Sequence, residues 1–118
     1  MRHFHRKRTC GRVKHGRNGL MRGLARSLVL EEGIVTTIAK AKELRPFVER
    51  LVTQAKKNTV ASQRTVSSRL GGAPDAVKKL HETLAVRYAD RQGGYTRIVR
   101  MGQIGKQHTE SARIEFYK

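Results

Sequence analysis

A chain of 118 residues is the size of one domain, and its 26 Lys and Arg against nine Asp and Glu give a formal charge of +17. That field repels itself in a compact monomer unless a polyanion neutralises it; lacking about 20 consecutive apolar residues, an apolar h-region and any Trp, the sequence excludes a membrane span, a secretory signal and a membrane-surface helix. Nucleic acid is left as the partner of a lean fold, in which 37% hydrophobic and 5% aromatic residues suffice for two packed layers but not for a large enclosed pocket.

In chain order, residues 1–30 carry nine basic side chains and no acid before Glu31. Met1 to Gly19 has almost no apolar periodicity, and it buries too little to offset its own ordering entropy. Residues 1–19 therefore read as an extended basic arm that orders against its partner, followed by a single globular domain over 20–118. Leu20, Leu24 and Leu28 recur at four-residue steps with Arg22 and Arg26 opposite them, the pattern of an amphipathic helix, and Gly33 is suited to end it. Ile34 to Ile38 is rich in β-branched residues and reads as a short strand.

A second helix is expected over Ala39 to Lys57, with Ala41, Leu44, Phe47, Val48, Leu51, Val52 and Ala55 on one stripe. Pro46 falls opposite that stripe, where a kink or a restart is best tolerated. A weaker helix follows from Thr59 to Leu70, closed by Gly71-Gly72. A fourth starts near Pro74, a good first-turn residue, and turns Val77, Leu80, Leu84 and Tyr88 inward. After the Gly93-Gly94 break, Tyr95 to Met101 and Ser111 to Tyr117 read as strands joined by a long hairpin loop over Gly102 to Glu110. The expected fold is α+β in two layers, ordered helix, strand, three helices, two strands, with helices covering one face of a small three-stranded sheet.

The strongest chemical signal lies in the arm. Arg2, Arg6, Lys7, Arg8, Arg12, Lys14 and Arg17 are interleaved with His3, Phe4, His5 and His15. Arginine forks bind phosphate bidentately, and rings stack on unpaired bases. The basic run continues onto Arg22 and Arg26 of the first helix. His3, His5, Cys10 and His15 match no zinc spacing. Gly102-Gln103-Ile104-Gly105 has the letters of a backbone clamp but falls between strands, where a turn explains it. A lone cysteine fits a reducing compartment. One Thr and no Ser in residues 1–19 disfavour an organelle transit peptide. No nucleophile with a base and no pair of acids in a cleft is discernible, so neither enzyme chemistry nor a cofactor nor a small-molecule substrate is expected. Near the glycine turn, Arg91 and Arg97 are further candidates for phosphate. A DNA-architectural protein is the competing class; it would need a recognition helix, a dimer seam or apolar wedges, none of which is clear.

Several strings carry a family likeness: Met1-Arg2-His3, Gly11-Arg12, Ser27-Leu28, Thr36-Thr37, Lys40-Ala41-Lys42-Glu43-Leu44-Arg45, Arg87-Tyr88 and Gly93-Gly94-Tyr95-Thr96-Arg97-Ile98. With them the chain resembles the bacterial large-subunit ribosomal protein L-seventeen family over essentially its whole length. The resemblance implies a cytoplasmic, non-catalytic ribosomal constituent on large-subunit rRNA, beside neighbouring ribosomal proteins near the tunnel exit. It gives the arm and first helix the leading part, on Arg2, His3, Arg12 and their basic neighbours; Lys40, Lys42, Arg45 and Tyr95, which lie in the quoted strings, are further candidate RNA contacts.

Overall fold

The computed structural model describes residues 13–103 and 109–117. Its elements are α1 (Lys14–Glu31), β1 (Gly33–Thr37), α2 (Ile38–Lys57), α3 (Val60–Arg69), α4 (Pro74–Lys79), a π-helical turn (Leu80–Leu84), α5 (Ala85–Arg87), β2 (Thr96–Gln103) and β3 (Glu110–Phe116). Because α4, the π turn and α5 run on without a break, the order matches that expected from the sequence. The arm residues 1–12 and the middle of the hairpin loop, including Gly105, lie outside the described residues.

Helix α1 starts at Lys14 rather than Leu20, so Lys14 to Gly19 belong to a helix and not to an extended arm. Met21, Ala25, Leu28 and Val29 anchor it in the core. Extending an anchored helix backwards needs no new nucleus, and the Arg17 N–H already donates to the Val13 carbonyl at 2.9 Å. Leu20 and Leu24 only border the core. Arg22 and Arg26 consequently do not point away from it but lie half-buried on the flank of the stripe.

The helix ends one residue earlier than expected. Glu32, not Gly33, takes the left-handed conformation at φ 63°, and its N–H donates to the Leu28 carbonyl at 2.7 Å. Gly33 opens β1 instead, where an added Cβ would come within 3.3 Å of the Glu115 Cβ. The end of β1 feeds directly into α2: Thr37 caps the helix by accepting from the Lys40 N–H, so Ile38 is helical rather than extended.

Helix α2 buries Ala41, Leu44, Val48, Leu51, Val52 and Ala55, with Phe47 packed beside them. It touches α1, α3, α5 and all three strands, which makes it the centre of the fold. Pro46 sits on its exposed side, and the helix continues through it without a restart. Helix α3 begins with a reciprocal capping box, Ser62 N–H to Thr59 Oγ1 at 3.1 Å and Thr59 N–H to Ser62 Oγ at 3.0 Å, a pairing that removes two orphan donors. It closes on Gly71 and Gly72, both at positive φ.

The sheet is antiparallel with β3 in the middle, in the order β1-β3-β2. Ile34, Ile114 and Ile98 stand in one row across the three strands, and with Ala112 and Phe116 they face the helices. The opposite face carries Val35, Arg113 and Val99 in one row and Arg97 and Glu115 in the next, open to solvent. Helices thus cover one face only. Strand β2 runs on to Gln103 past a bulge between Arg100 and Gly102, so Gly102-Gln103 belong to the strand and not to a turn.

Candidate nucleic-acid interface

A cation can hold phosphate only with donors not already committed inside the protein, so the described Lys and Arg divide by their partners. On the sheet, Arg97 and Arg113 share the carboxylate of Glu115, and Arg100 lies 3.6 Å from Glu110. At the start of β1, Arg87 and Lys79 converge on Glu32, and Lys79 also donates to the Leu30 carbonyl at 2.8 Å. Both carboxyls respond. Hydrogen bonding from Arg87, reinforced by Lys79, holds Glu32 below its ordinary value against the opposing effect of burial. Arg113 and then Arg97 do the same for Glu115.

The helical side differs. Lys14, Arg17, Arg22, Lys40, Lys42, Arg50, Lys57, Arg64, Arg69 and Lys78 form no ion pair among the described residues. They lie on α1, α2, α3 and α4. The helices carry carboxylates too, among them Glu31, Glu43, Glu49, Asp75 and Glu82, so the two sides differ in how their cations are paired and not in a lack of acid.

The candidate contacts read from the sequence fare unequally. Lys14, Lys42 and Arg45 are exposed, while Arg17, Arg22 and Lys40 are half-buried. Arg45 has a loose carboxylate neighbour, Glu49, at 3.9 Å. Arg26 donates through Nε to the Leu70 carbonyl at 2.9 Å, locking α1 to the end of α3. This brings Arg22 and Arg26 beside Gly71 and away from the outward-facing helix surface they were expected to occupy. Arg91 is exposed and lies over the Tyr117 ring, 4.6 Å from its centroid. Arg97 is committed to Glu115. Arg2, His3, Arg6, Lys7, Arg8 and Arg12 lie outside the described residues.

Tyr95 is placed differently from the expectation. Its ring is 1% exposed and stacks at 5.2 Å on Tyr88, which in turn meets Phe116 at 6.2 Å, so it is a core aromatic and has no free face for a base. Lean aromatic content is the physical reason: with no Trp, the fold draws its few large rings into the one core. The Tyr95 hydroxyl is held from α2, where Lys56 donates to it at 3.2 Å and Thr53 Oγ1 lies at 3.5 Å. Burial acts to raise its pKa, but Thr53, Lys56 and the Gly93 backbone together outweigh it and lower the value.

The tertiary structure also gathers residues that the sequence did not single out. The outer side of α2, the last turn of α3 and the Gly93-Gly94 turn enclose an open cleft of about 410 Å³. Arg50 and Arg69 line it together with Pro46, Thr53, Gln54 and Tyr95. Glu49 lines it too, and one of its oxygens accepts from the Thr96 N–H and hydroxyl at 3.2 and 3.1 Å. Arg50 was legible only as a residue off the apolar stripe, and Arg69 as one cation among many; neither had a sequence signal separating it from a paired one.

These features define a small basic α+β domain in which the sheet arginines are paired with carboxylates and ten helical cations form no ion pair among the described residues. Residues 20–117 match the family described as Ribosomal protein L17. The chain is 50% identical over 119 residues to the large ribosomal subunit protein bL17 of Hydrogenobaculum sp., covering 98% of both chains. It is 52% identical over 106 residues to the bL17 of Anaplasma marginale, spanning 86% of this chain and 79% of that one. Over 100 residues it is 48% identical to the bL17 of Solibacter usitatus, 85% of this chain but 66% of the relative's length. The chain belongs to the ribosomal protein L17 family, as the strings around Lys40–Arg45 and Gly93–Ile98 implied.

Proposed function

We propose that this chain is a structural, non-catalytic constituent of the large ribosomal subunit in the cytoplasm. It binds large-subunit rRNA through basic side chains of the leading segment and the helices and sits among other large-subunit proteins near the tunnel exit. The contacts proposed are Arg2, His3, Arg6, Lys7, Arg8 and Arg12 of the leading segment, Lys14, Arg17 and Arg22 of α1, Lys40, Lys42 and Arg45 of α2, and Arg91 beside Tyr117. The observation that carries the reading is a difference in pairing: Arg97, Arg100 and Arg113 of the sheet have carboxylate partners, whereas ten helical Lys and Arg form no ion pair among the described residues. Phosphates replacing small counterions there release those ions, which is the main driving force for such binding at moderate salt. The relatives' name, large ribosomal subunit protein, supports the same assignment.

Removing residues 1–12 tests it. Among the described residues every buried core residue is at Met21 or later, so the remainder should keep its fold by circular dichroism. Its affinity for large-subunit rRNA should fall sharply, and with it co-sedimentation with large subunits through moderate salt. Unchanged affinity would remove the arm from the binding surface, and a native protein found wholly apart from ribosomes would overturn the reading.

A further inference from the structure

We propose that the cleft between α2, the end of α3 and the Gly93-Gly94 turn receives one unpaired nucleotide of the bound RNA, an inference that rests on the RNA-binding reading above. Small-ligand sites start at roughly 300 Å³, so a cleft of about 410 Å³ holds a splayed base with its ribose but not a stacked helix.

Its charge favours a nucleotide over an uncharged guest. Arg50 and Arg69 come from different helices, line the same opening and form no ion pair among the described residues. They are placed to take the phosphates on either side of an extruded base. The one carboxylate in the lining, Glu49, is held by Thr96 and has Arg45 nearby, which compensates the charge that would otherwise repel phosphate.

The lining also suits a base edge. Gln54 offers an amide with both donors and an acceptor, the complement of the mixed edges that bases present. The Tyr95 hydroxyl adds a polar group whose position is fixed by Lys56 and by a ring locked in the core. Pro46 supplies an apolar surface for the face of a ring. At the glycine turn, φ is 101° at Gly93 and 62° at Gly94, and nothing lies within 4 Å of where either Cβ would be. Gly93 thus lines the cleft with bare backbone. A duplex base would first have to be unpaired at a cost of a few kcal/mol, so a nucleotide from a loop or bulge is the natural occupant.

The test compares 2′-hydroxyl acylation of the RNA in four kinds of large subunit: with the wild-type chain, with Arg50→Ala/Arg69→Ala, with Gln54→Trp to fill the cleft, and without the chain. One nucleotide, or a few adjacent ones, should become several-fold more reactive in both variants. The broader protections conferred by α1 and the arm should persist. The paired arginine variant alters only exposed side chains, so it remains decisive if Gln54→Trp folds poorly. Identical maps for wild type and the arginine variant, with protections still lost when the chain is absent, would overturn the cleft assignment and leave the RNA-binding reading standing. No difference between subunits with and without the chain would instead overturn that reading itself. Capture of a neighbouring protein, and no RNA, by a photo-crosslinker attached through Gln54→Cys in a chain that also carries Cys10→Ser would show a protein occupant and equally defeat the proposal.

Discussion

Arg97 and Glu115 stand directly opposite each other in the register of β2 and β3, and the guanidinium Nε and Nη2 both lie 2.6 Å from one carboxylate oxygen. Arg113 donates to the other oxygen at 3.1 Å. One half-buried carboxylate thus restrains two cations on the open sheet face. We expect Glu115→Gln to release both and to tighten RNA binding several-fold at low salt. Arg97→Ala should weaken binding less than Arg50→Ala. Titrations at about 50 and 200 mM salt distinguish these effects, since contacts to phosphate lose strength steeply over that range. An Arg97→Ala loss equal to that of Arg50→Ala would show that Arg97 leaves its partner for the RNA.

Glu32 makes the stability of the α1–β1 corner depend on acid. Its folded pKa lies below the 4.5 of a free glutamate, chiefly through the hydrogen bond from Arg87. A carboxylate depressed in this way contributes its stabilisation above the unfolded value and loses it as pH falls through the folded one. Wild type should therefore lose this contribution on acidification below 4.5, whereas Glu32→Gln should lack it throughout. At neutral pH the variant should be less stable by up to about 1 kcal/mol, the scale of a partly exposed pair. Thermal unfolding at neutral pH and below 4.5 measures both, and an unchanged gap between the proteins across that window would exclude the linkage.

Gly19 and Gly23 lie inside α1 with nothing within 4 Å of an added Cβ. Glycine in a helix interior costs roughly 0.5–1 kcal/mol relative to alanine. Gly19→Ala and Gly23→Ala should each stabilise the protein by about that amount, read from denaturant midpoints. If bare helix backbone is what lets RNA approach this side of α1, the same variants should bind RNA more weakly. Gains in stability with unchanged affinity would leave the glycines without an RNA role.

Tyr95 separates a packing role from a recognition role. Tyr95→Phe keeps the buried ring, so stability should change by less than about 1.5 kcal/mol. Tyr95→Ala removes it from between Tyr88 and the helices and should cost on the order of 3–5 kcal/mol, as for other buried rings. A base-stacking tyrosine would behave in the opposite way, leaving stability intact and lowering affinity in Tyr95→Ala. Chemical denaturation with RNA titration on the same samples decides between them.

Local periodicity was enough for the sequence by itself to determine the elements and their order. The stripe from Ala41 to Ala55, the β-branched run after Gly33, the turns at Gly71-Gly72 and Gly93-Gly94, and the alternation of Ala112, Ile114 and Phe116 each follow from repeats that a few neighbouring residues set. The expectation of a polyanionic partner came from the acid-free leading segment in the same way, because net charge is a sum and needs no coordinates. Only the tertiary structure decided that β3 lies in the middle, that α1 reaches back to Lys14, and that Tyr95 is core. It also decided which cations are free: Arg97 meets a carboxylate 18 residues away, Arg87 one 55 residues away, and Arg26 a carbonyl 44 residues away. The order of residues along a chain does not encode such pairings, since they arise only when burial of apolar faces brings distant segments together. The charge that stays unpaired afterwards is what a phosphate backbone can use.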